Sequence, residues 1–322
     1  MINLRKVHIT ASRHKLNLIL RALQPASYQL REISVECVLL PCLVSFLTLL
    51  NRSEGDPLDM PLSDFTRLSH ISFRHDVTDV RRYHDLISAN RHTLRSLTLR
   101  TTYSRFPPGA LRLENLMHLN VRLHFNDLES FRDIFLATPS VESFSLSCYL
   151  EQMVFSPVLR AMKNPLPRVK HFAFNIHFAT NTDLDLFPAL AEILRGRTKL
   201  ESLDLTVPDP AMRRFLGYDS SAWGLLHTLP NLTTLAMTYV DTLSAALTSW
   251  LVPRDVRFLY INSTALKGKC AVPFLTVSVF IRIGFFFVID SHDRLGFAFH
   301  RSSVWDCHLA CSTLESPSRG GR

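Results

Sequence analysis

Three arginines, Arg74, Arg100 and Arg122, occupy the same place in three successive copies of a short apolar pattern. In each copy the arginine directly follows the last apolar residue of an apolar-x-x-apolar-x-apolar core. Guanidinium groups form paired, charge-assisted hydrogen bonds with carboxylates and phosphates. The spacing therefore predicts a row of side chains that bind an acidic or phosphorylated partner. The competing interpretation is a solvated charged face, or pairing with Glu36 in the preceding copy.

Two histidines and two aromatic residues are further candidates on the same surface. His70 and His118 occupy the third place of the copies that carry Arg74 and Arg122. Phe258 and Tyr260 lie in the last copy, where they are expected to anchor a peptide as aromatic hot spots do, unless a C-terminal cap covers them. Together with the three arginines, these residues form the predicted partner-binding site.

Catalytic and cofactor chemistry has no signature in the sequence. The phosphate-binding loop G-x-x-x-x-G-K-[ST], the dinucleotide loop G-x-G-x-x-G, the nucleophile elbow G-x-S-x-G and the zinc motif H-E-x-x-H are all absent. One cluster of His300, Cys307, His308 and Cys311 is a weak zinc candidate, because its cysteines have C-x-x-x-C spacing. We therefore expect no enzyme activity, no cofactor and no metal.

An internal repeat must position the candidate residues. The core recurs ten times at intervals of roughly 22 to 38 residues, mostly near the range of leucine-rich repeats. The cores begin at Leu4, Leu30, Leu68, Leu94, Leu116, Val141, Val169, Leu200, Leu232 and Val256. Each core ends in an alternating stretch such as Leu97-Thr98-Leu99, which is typical of a short strand with one buried face.

Between the cores the apolar period becomes helical. Asp127 is predicted to cap one helix, and Thr182 with Asp185 resembles a capping box for another. Repeated strand–helix units bury their apolar faces only by stacking on one another. The expected fold class is α/β, a leucine-rich-repeat solenoid over residues 1–266 with about ten units, a parallel concave sheet and helices on the convex side. A doubly wound α/β domain is the alternative, but its buried strands would be continuously apolar.

Two phrases of the sequence carry a family resemblance. They are Leu94-Arg95-Ser96-Leu97-Thr98-Leu99 and Thr198-Lys199-Leu200-Glu201-Ser202-Leu203-Asp204-Leu205, and they resemble the leucine-rich-repeat portion of fungal F-box proteins, with ribonuclease-inhibitor-like repeats. In that family an F-box binds the Skp1 adaptor of a cullin ubiquitin ligase, and the repeats select the substrate. The resemblance covers residues 1 to about 266 and implies protein binding for ubiquitin-ligase substrate recognition.

The F-box itself is not present before the first repeat of this sequence. Binding to a Skp1-type adaptor would therefore require an F-box that this sequence does not contain. The alternatives are a stand-alone leucine-rich-repeat scaffold without ligase contact, or a membrane-tethered recognition module.

Residues 267–322 form an atypical C-terminal segment. Its apolar run from Ala271 to Ile289 is interrupted by Arg282. Strict alternation from Val277 to Ile289 favours a cap strand, whereas a central arginine costs about 2.5–3.5 kcal/mol in a membrane helix. Translation of a retained intron that begins near Gly268 is the third interpretation.

Charge and cysteine usage restrict the class of partner. The chain has 36 Lys and Arg against 28 Asp and Glu, and the resulting +8 is too diluted over 322 residues to indicate nucleic acid. The six cysteines form no C-x-x-C pair, and the N-terminus lacks the apolar block of a signal peptide. We therefore expect a monomer of the cytoplasm or nucleus that binds a protein, and neither nucleic acid nor a membrane.

Overall fold

The computed structural model describes residues 4–37, 62–74, 80–100, 112–238, 247, 250–262, 284–290 and 294–300, except residues 12, 126, 152 and 208. Within these residues the chain alternates between strands and helices. The strands are β1 (Lys6–Ala11), β2 (Glu32–Cys37), β3 (His70–Arg74), β4 (Ser96–Arg100), β5 (His118–Phe125), β6 (Ser143–Leu150), β7 (His171–Ala179), β8 (Ser202–Thr206), β9 (Thr234–Thr238), β10 (Phe258–Asn262), β11 (Gly284–Asp290) and β12 (Arg294–His300). The described α-helices are α1 (Arg13–Leu23), α2 (Val80–Ala89), α3 (Leu128–Leu136), α4 (Ser156–Ala161), α5 (Leu186–Leu194), α6 (Pro210–Phe215) and α7 (Ser220–Gly224), and 3₁₀ turns cover Gln24–Ala26, Leu62–Asp64 and Leu226–Thr228.

Strands β1 to β10 form one sheet in which every strand lies beside the next along the chain. All of these pairs are parallel. The C-terminal strands extend the sheet in the order β10, β12, β11, with antiparallel pairing. The predicted alternation of strand and helix is thus confirmed as an α/β fold, and its ten-strand parallel sheet is consistent with a solenoid-like repeat.

Each parallel strand buries one face and leaves the other partly exposed. In β3, for example, Ile71 and Phe73 are fully buried, whereas His70 and Arg74 are exposed. The buried residues join the inward faces of the helices in one continuous apolar core. Burial of a leucine or phenylalanine side chain contributes about 1.5–3 kcal/mol, so the stacked units stabilise one another. We call the partly exposed side of the sheet the open face.

The same backbone hydrogen bonds recur at the start of each strand. The carbonyl oxygen of Arg5 accepts from the N–H groups of Arg31 and Glu32, at 2.8 and 3.1 Å. An equivalent carbonyl accepts two N–H groups from the next unit in every step up to Thr233, which accepts from Arg257 and Phe258. Because each unit is fixed to the next in the same way, equivalent residues of successive strands stand side by side.

The helix starts differ in part from the sequence prediction. Asp127 caps α3 as predicted, since its side chain accepts a hydrogen bond from Ser130 N at 2.6 Å. The predicted capping box is wrong, because Asp185 precedes α5 without a side-chain capping bond. The neighbouring Asp183 is buried and acts one unit away, where it accepts from Phe155 N and Ser156 N at the start of α4, at 2.7 and 2.9 Å.

Phenylalanine rings fill the core beneath the middle of the sheet. Phe131 of α3 contacts Phe125 of β5 and Phe155 beside α4, with ring centroids 5.1 and 4.8 Å apart. Phe144 of β6 stacks on Phe172 of β7 at 5.4 Å. Rigid rings that span neighbouring units hold β5, β6 and β7 in one packed block.

The C-terminal segment is described only in part. Strand β11 covers the end of the apolar run, and His300 is the last residue of β12. Residues 263–283 lie outside the described residues, as do Cys307, His308 and Cys311 of the weak zinc candidate. Among the helices that the structure describes, none has the length and apolar character needed to cross a bilayer.

Candidate partner-binding face

The three arginines stand in one column across the open face. Arg74 of β3 pairs in register with Arg100 of β4, which pairs with Arg122 of β5. Neighbouring strands lie about 4.8 Å apart, so the column extends over about 10 Å. The alignment expected from the sequence is therefore present, and we call these residues the arginine column.

Arg74 and Arg100 have no counterion among the described residues. Both side chains are exposed. Glu36 of β2 is the register partner of Arg74, but no ion pair joins their side chains. Like charges on adjacent strands repel each other, so an anionic ligand would relieve a repulsion that the described part of the chain leaves in place.

Arg122 is held more firmly than the other two arginines. Its Nη2 donates a hydrogen bond to the hydroxyl of Tyr149, and its guanidinium carbon lies 5.3 Å from the centroid of the Tyr149 ring. Its Nε is buried and has no hydrogen-bond acceptor within the described part of the chain. Fixing the guanidinium in this way lowers the entropy that it would lose on binding an anion.

A stack of three rings continues from Arg122 across β5, β6 and β7. His124 and Tyr149 stack with centroids 4.1 Å apart and planes inclined by 2°, and Tyr149 and His177 stack at 5.4 Å. The β6–β7 register shifts at this point, so that Tyr149 pairs with Phe178 and His177 occupies an irregularity of the strand. We call His124, Tyr149 and His177 the ring stack.

The sequence prediction missed the ring stack. The apolar core ends at Val121, Leu146 and Phe174, three residues before the ring-stack residue on each strand. The available signal was the continued alternation of buried residues, Leu123 and Phe125 in β5 and Cys148 and Leu150 in β6. These strands are longer than the core, and the added residues carry the rings.

The charge of the site comes mainly from arginine. Desolvation, followed by the positive charge of Arg122, lowers the pKa of His177 below its ordinary value. The imidazole is therefore neutral at neutral pH and contributes hydrogen-bonding nitrogens. Burial raises the pKa of the nearby Cys148 thiol, so this side chain is not a thiolate nucleophile.

His70 and His118 lie on the open face at the first residue of their strands, away from the arginine column. Each histidine precedes its arginine by four positions, which corresponds to about 13 Å along a strand. His70 Nδ1 is 3.8 Å from Glu32 Oε1, and Glu32 also forms an ion pair with Lys6 at 2.6 Å. The hydrogen bond from Lys6 is the main cause of the lowered pKa of Glu32, with a smaller contribution from His70.

Phe258 and Tyr260 also project from the open face, and 46% and 40% of their surfaces are exposed. They belong to β10, five strands from Arg122. At about 4.8 Å per strand this separation is about 24 Å. The structure therefore brings the three arginines together but places the aromatic pair in a separate region.

A cleft lies at the start of strands β6 to β9. This cleft of about 720 Å³ is lined by Glu142, Arg168, Lys170, Thr198, Lys199, Glu201 and Asn231. Lys170 Nζ forms an ion pair with Glu142 at 2.8 Å. Their hydrogen bond is the largest cause of the lowered pKa of Glu142 and the raised pKa of Lys170. Because two acidic side chains offset two of its three basic ones, the cleft attracts an anion less strongly than the arginine column does.

Neither a search for metal sites nor comparisons with known proteins assign a function to the open face. In the part of the chain that the structure describes, no group of three or more His, Cys, Asp and Glu side chains is placed to hold a metal ion. No protein-family model, curated protein or solved structure matches the chain. The open face is therefore interpreted from its own geometry.

Proposed function

We propose that this chain is a leucine-rich-repeat protein-binding module without enzyme activity, and that its open face binds an acidic or phosphorylated segment of a partner protein. The arginine column carries this proposal. Its three guanidinium groups are in register on adjacent strands, and two of them are exposed without a counterion among the described residues.

Physical chemistry favours an anionic partner at this column. Each guanidinium offers paired donors that match the two oxygens of a carboxylate or phosphate. A spacing of about 4.8 Å lets adjacent arginines contact one phosphate or two acidic side chains. Electrostatic attraction of this kind accelerates association and weakens as salt is added.

Replacement of all three arginines tests the proposed site. The probes are fluorescein-labelled peptides with six Asp and Glu residues, with two phosphoserines, or with six Ser residues. Arg74→Ser/Arg100→Ser/Arg122→Ser is expected to weaken binding of the acidic or phosphorylated peptide at least about tenfold and to flatten its salt dependence. Fluorescence anisotropy titrations at several salt concentrations measure the affinity and its salt dependence.

A matched variant separates this site from general charge. Arg112→Ser/Arg214→Ser/Arg254→Ser also removes three positive charges, from exposed positions outside the arginine column. It is expected to retain most of the affinity and the salt slope. Equal affinity of the two triple variants would refute the assignment of the arginine column, and failure of the wild type to bind any probe would refute the proposed function.

Within this proposal, the biological role is ubiquitin-ligase substrate recognition, which follows from the resemblance to F-box proteins. The protein tagged at its own chromosomal locus would then co-purify with a Skp1-type adaptor, and its full-length transcript would encode an F-box. Co-purification of a partner without the adaptor would instead support a stand-alone scaffold. Carbonate-resistant membrane pelleting would identify the membrane-tethered alternative, which depends on residues 271–289.

A further inference from the structure

Four large apolar side chains are exposed near the end of the ring stack. They are Val154, Phe178, Leu184 and Phe215, with 45%, 46%, 61% and 49% of their surfaces exposed. Val154 and Leu184 lie in the connections that follow β6 and β7, and Phe215 is the last residue of α6. Single exposed apolar residues are common, but a group of them marks an interaction site. We call these four residues the apolar rim.

Hydrogen bonds of the buried Asp183 bring three of the rim residues together. Asp183 N donates to the carbonyl oxygen of Phe215 at 2.7 Å, and Leu184 is its neighbour in the chain. Its carboxylate accepts from the N–H of Phe155, the residue after Val154, at 2.7 Å. The backbone N–H and the carboxylate of the buried Asp183 thus tie these segments together, so the positions of their backbones are fixed before any partner binds.

The apolar rim is connected to the arginine column through Tyr149. Arg122 donates to the Tyr149 hydroxyl, and Tyr149 is the register partner of Phe178. From β5 to β7 the distance is two strand spacings, about 10 Å, which an extended peptide covers with about three residues. One short segment can therefore contact both Arg122 and Phe178.

The ring stack favours a polypeptide ligand over a nucleic acid. Tyr149 has one ring face covered by His124 and the other by His177. A nucleobase that binds by stacking needs an open aromatic face. Tyr149, the central ring of the stack, therefore offers no open face to a nucleobase.

We infer that the apolar rim anchors large apolar side chains of the same partner segment whose acidic residues bind the arginine column. This inference rests on the proposed function and specifies its ligand. The partner segment has acidic residues, a spacer of about three residues, and then a leucine or phenylalanine. The acidic part provides electrostatic attraction and the apolar part provides burial.

Three labelled peptides test the inference on the full chain. The first joins four acidic residues to a Gly-Ser-Gly spacer and Leu-Phe, the second replaces Leu-Phe by Ser-Ser, and the third replaces the acidic residues by Ser. The first peptide is expected to bind at least about tenfold more tightly than either of the others. Fluorescence anisotropy at a single salt concentration provides the comparison.

Substitutions in the apolar rim test whether it binds the leucine and phenylalanine of the first peptide. Phe178→Ser/Leu184→Ser is expected to reduce the affinity of the first peptide to that of the second and to leave the second unchanged. Leu184→Ser alone, at the most exposed rim residue, is expected to lose part of the gain. Leu18→Ser is the matched control, because Leu18 of α1 is 68% exposed, similar to the 61% of Leu184. It should leave all affinities unchanged.

The outcomes distinguish the inference from the proposed function. Equal binding of the first two peptides, or a gain that survives in Leu184→Ser and in the double variant, would overturn the apolar anchor and leave acidic recognition intact. Equal binding of the first and third peptides would show that the rim acts without the arginine column and would also overturn the inference. Absence of binding by every peptide would overturn both proposals.

Discussion

Arg122 differs from the other members of the arginine column because its guanidinium has two kinds of neighbour. The Tyr149 hydroxyl accepts its hydrogen bond and the Tyr149 ring centroid lies 5.3 Å from its guanidinium carbon, whereas its buried Nε has no acceptor among the described residues. The charge also acts on His177, whose pKa it lowers together with desolvation. At the scale of a residue, Arg122 is therefore the member of the arginine column that is electrostatically coupled to the ring stack.

Titration of His177 tests this coupling. We expect its ring proton to titrate below the ordinary histidine value of about 6.5, and Arg122→Ser to move the midpoint upward, because a positive neighbour disfavours the imidazolium. NMR of the imidazole signals measures both midpoints. Arg74→Ser, two strands away from Arg122, is the control and should leave the midpoint unchanged.

The lowered pKa of His177 also makes the stability of the folded chain depend on pH in a defined direction. A histidine whose pKa is lower in the folded chain binds protons more weakly than in the unfolded chain, so its contribution to stability falls as pH decreases through about 6.5. Arg122→Ser should reduce that dependence. A midpoint that does not move in Arg122→Ser would contradict the electrostatic coupling.

At the scale of the element, the connection that follows α6 packs closely against Leu184 of the apolar rim. Gly217 follows α6 with φ of +66°, and an added Cβ would come within 1.9 Å of the carbonyl oxygen of Leu184. Gly196 follows α5 with a similar φ of +69°, but a Cβ there would meet no atom within 4 Å. The two glycines thus share a backbone conformation and differ in their surroundings.

Alanine substitutions separate the cost of the left-handed backbone from the cost of the close approach to Leu184. Gly196→Ala is expected to cost about 1–2 kcal/mol from the left-handed backbone alone, whereas Gly217→Ala should cost more than about 3 kcal/mol because it also displaces the Leu184 backbone. Urea denaturation measures both free energies of unfolding. Equal losses would show that the close approach to Leu184 is relieved without cost.

At the scale of the whole molecule, the described apolar core is continuous along the sheet, and each strand lies beside the next along the chain. Ring contacts connect Phe131 with Phe125, Phe135 and Phe155 under the middle strands, whereas Leu16 is buried under the first strands. Arrays whose units contact only their neighbours respond to a substitution locally and pass its effect from one unit to the next.

Hydrogen exchange provides the test of local response. Phe131→Ala removes a fully buried ring at a cost of about 3–5 kcal/mol and is expected to accelerate amide exchange most in β5, β6 and β7. Leu16→Ala is the matched variant for the other end and should affect β1 and β2 most. Uniform acceleration in all strands by both variants would indicate a single cooperative unit.

The repeating part of this architecture is predictable because it depends on local patterns. Alternation in each core predicts the strand, the buried face and the column to which Arg74, Arg100 and Arg122 belong. The ring stack was harder to predict from the sequence, because it lies beyond the apolar core of each repeat. It also includes an irregularity at His177 that no residue spacing indicates. Asp183 was missed for another reason: it caps a helix of the preceding unit, and a capping motif only relates residues close in sequence.

The repeated carbonyl at the start of each strand has a consequence for how such a protein changes over generations. Because every junction uses the same pair of N–H groups, a whole strand–helix block can be duplicated or lost while the remaining junctions stay intact. Duplication of the block that contains β4 would place a fourth guanidinium beside Arg100 and lengthen the cationic row by about 4.8 Å. The length of the acidic tract that we propose as ligand would then change in discrete steps, one for each inserted or deleted block.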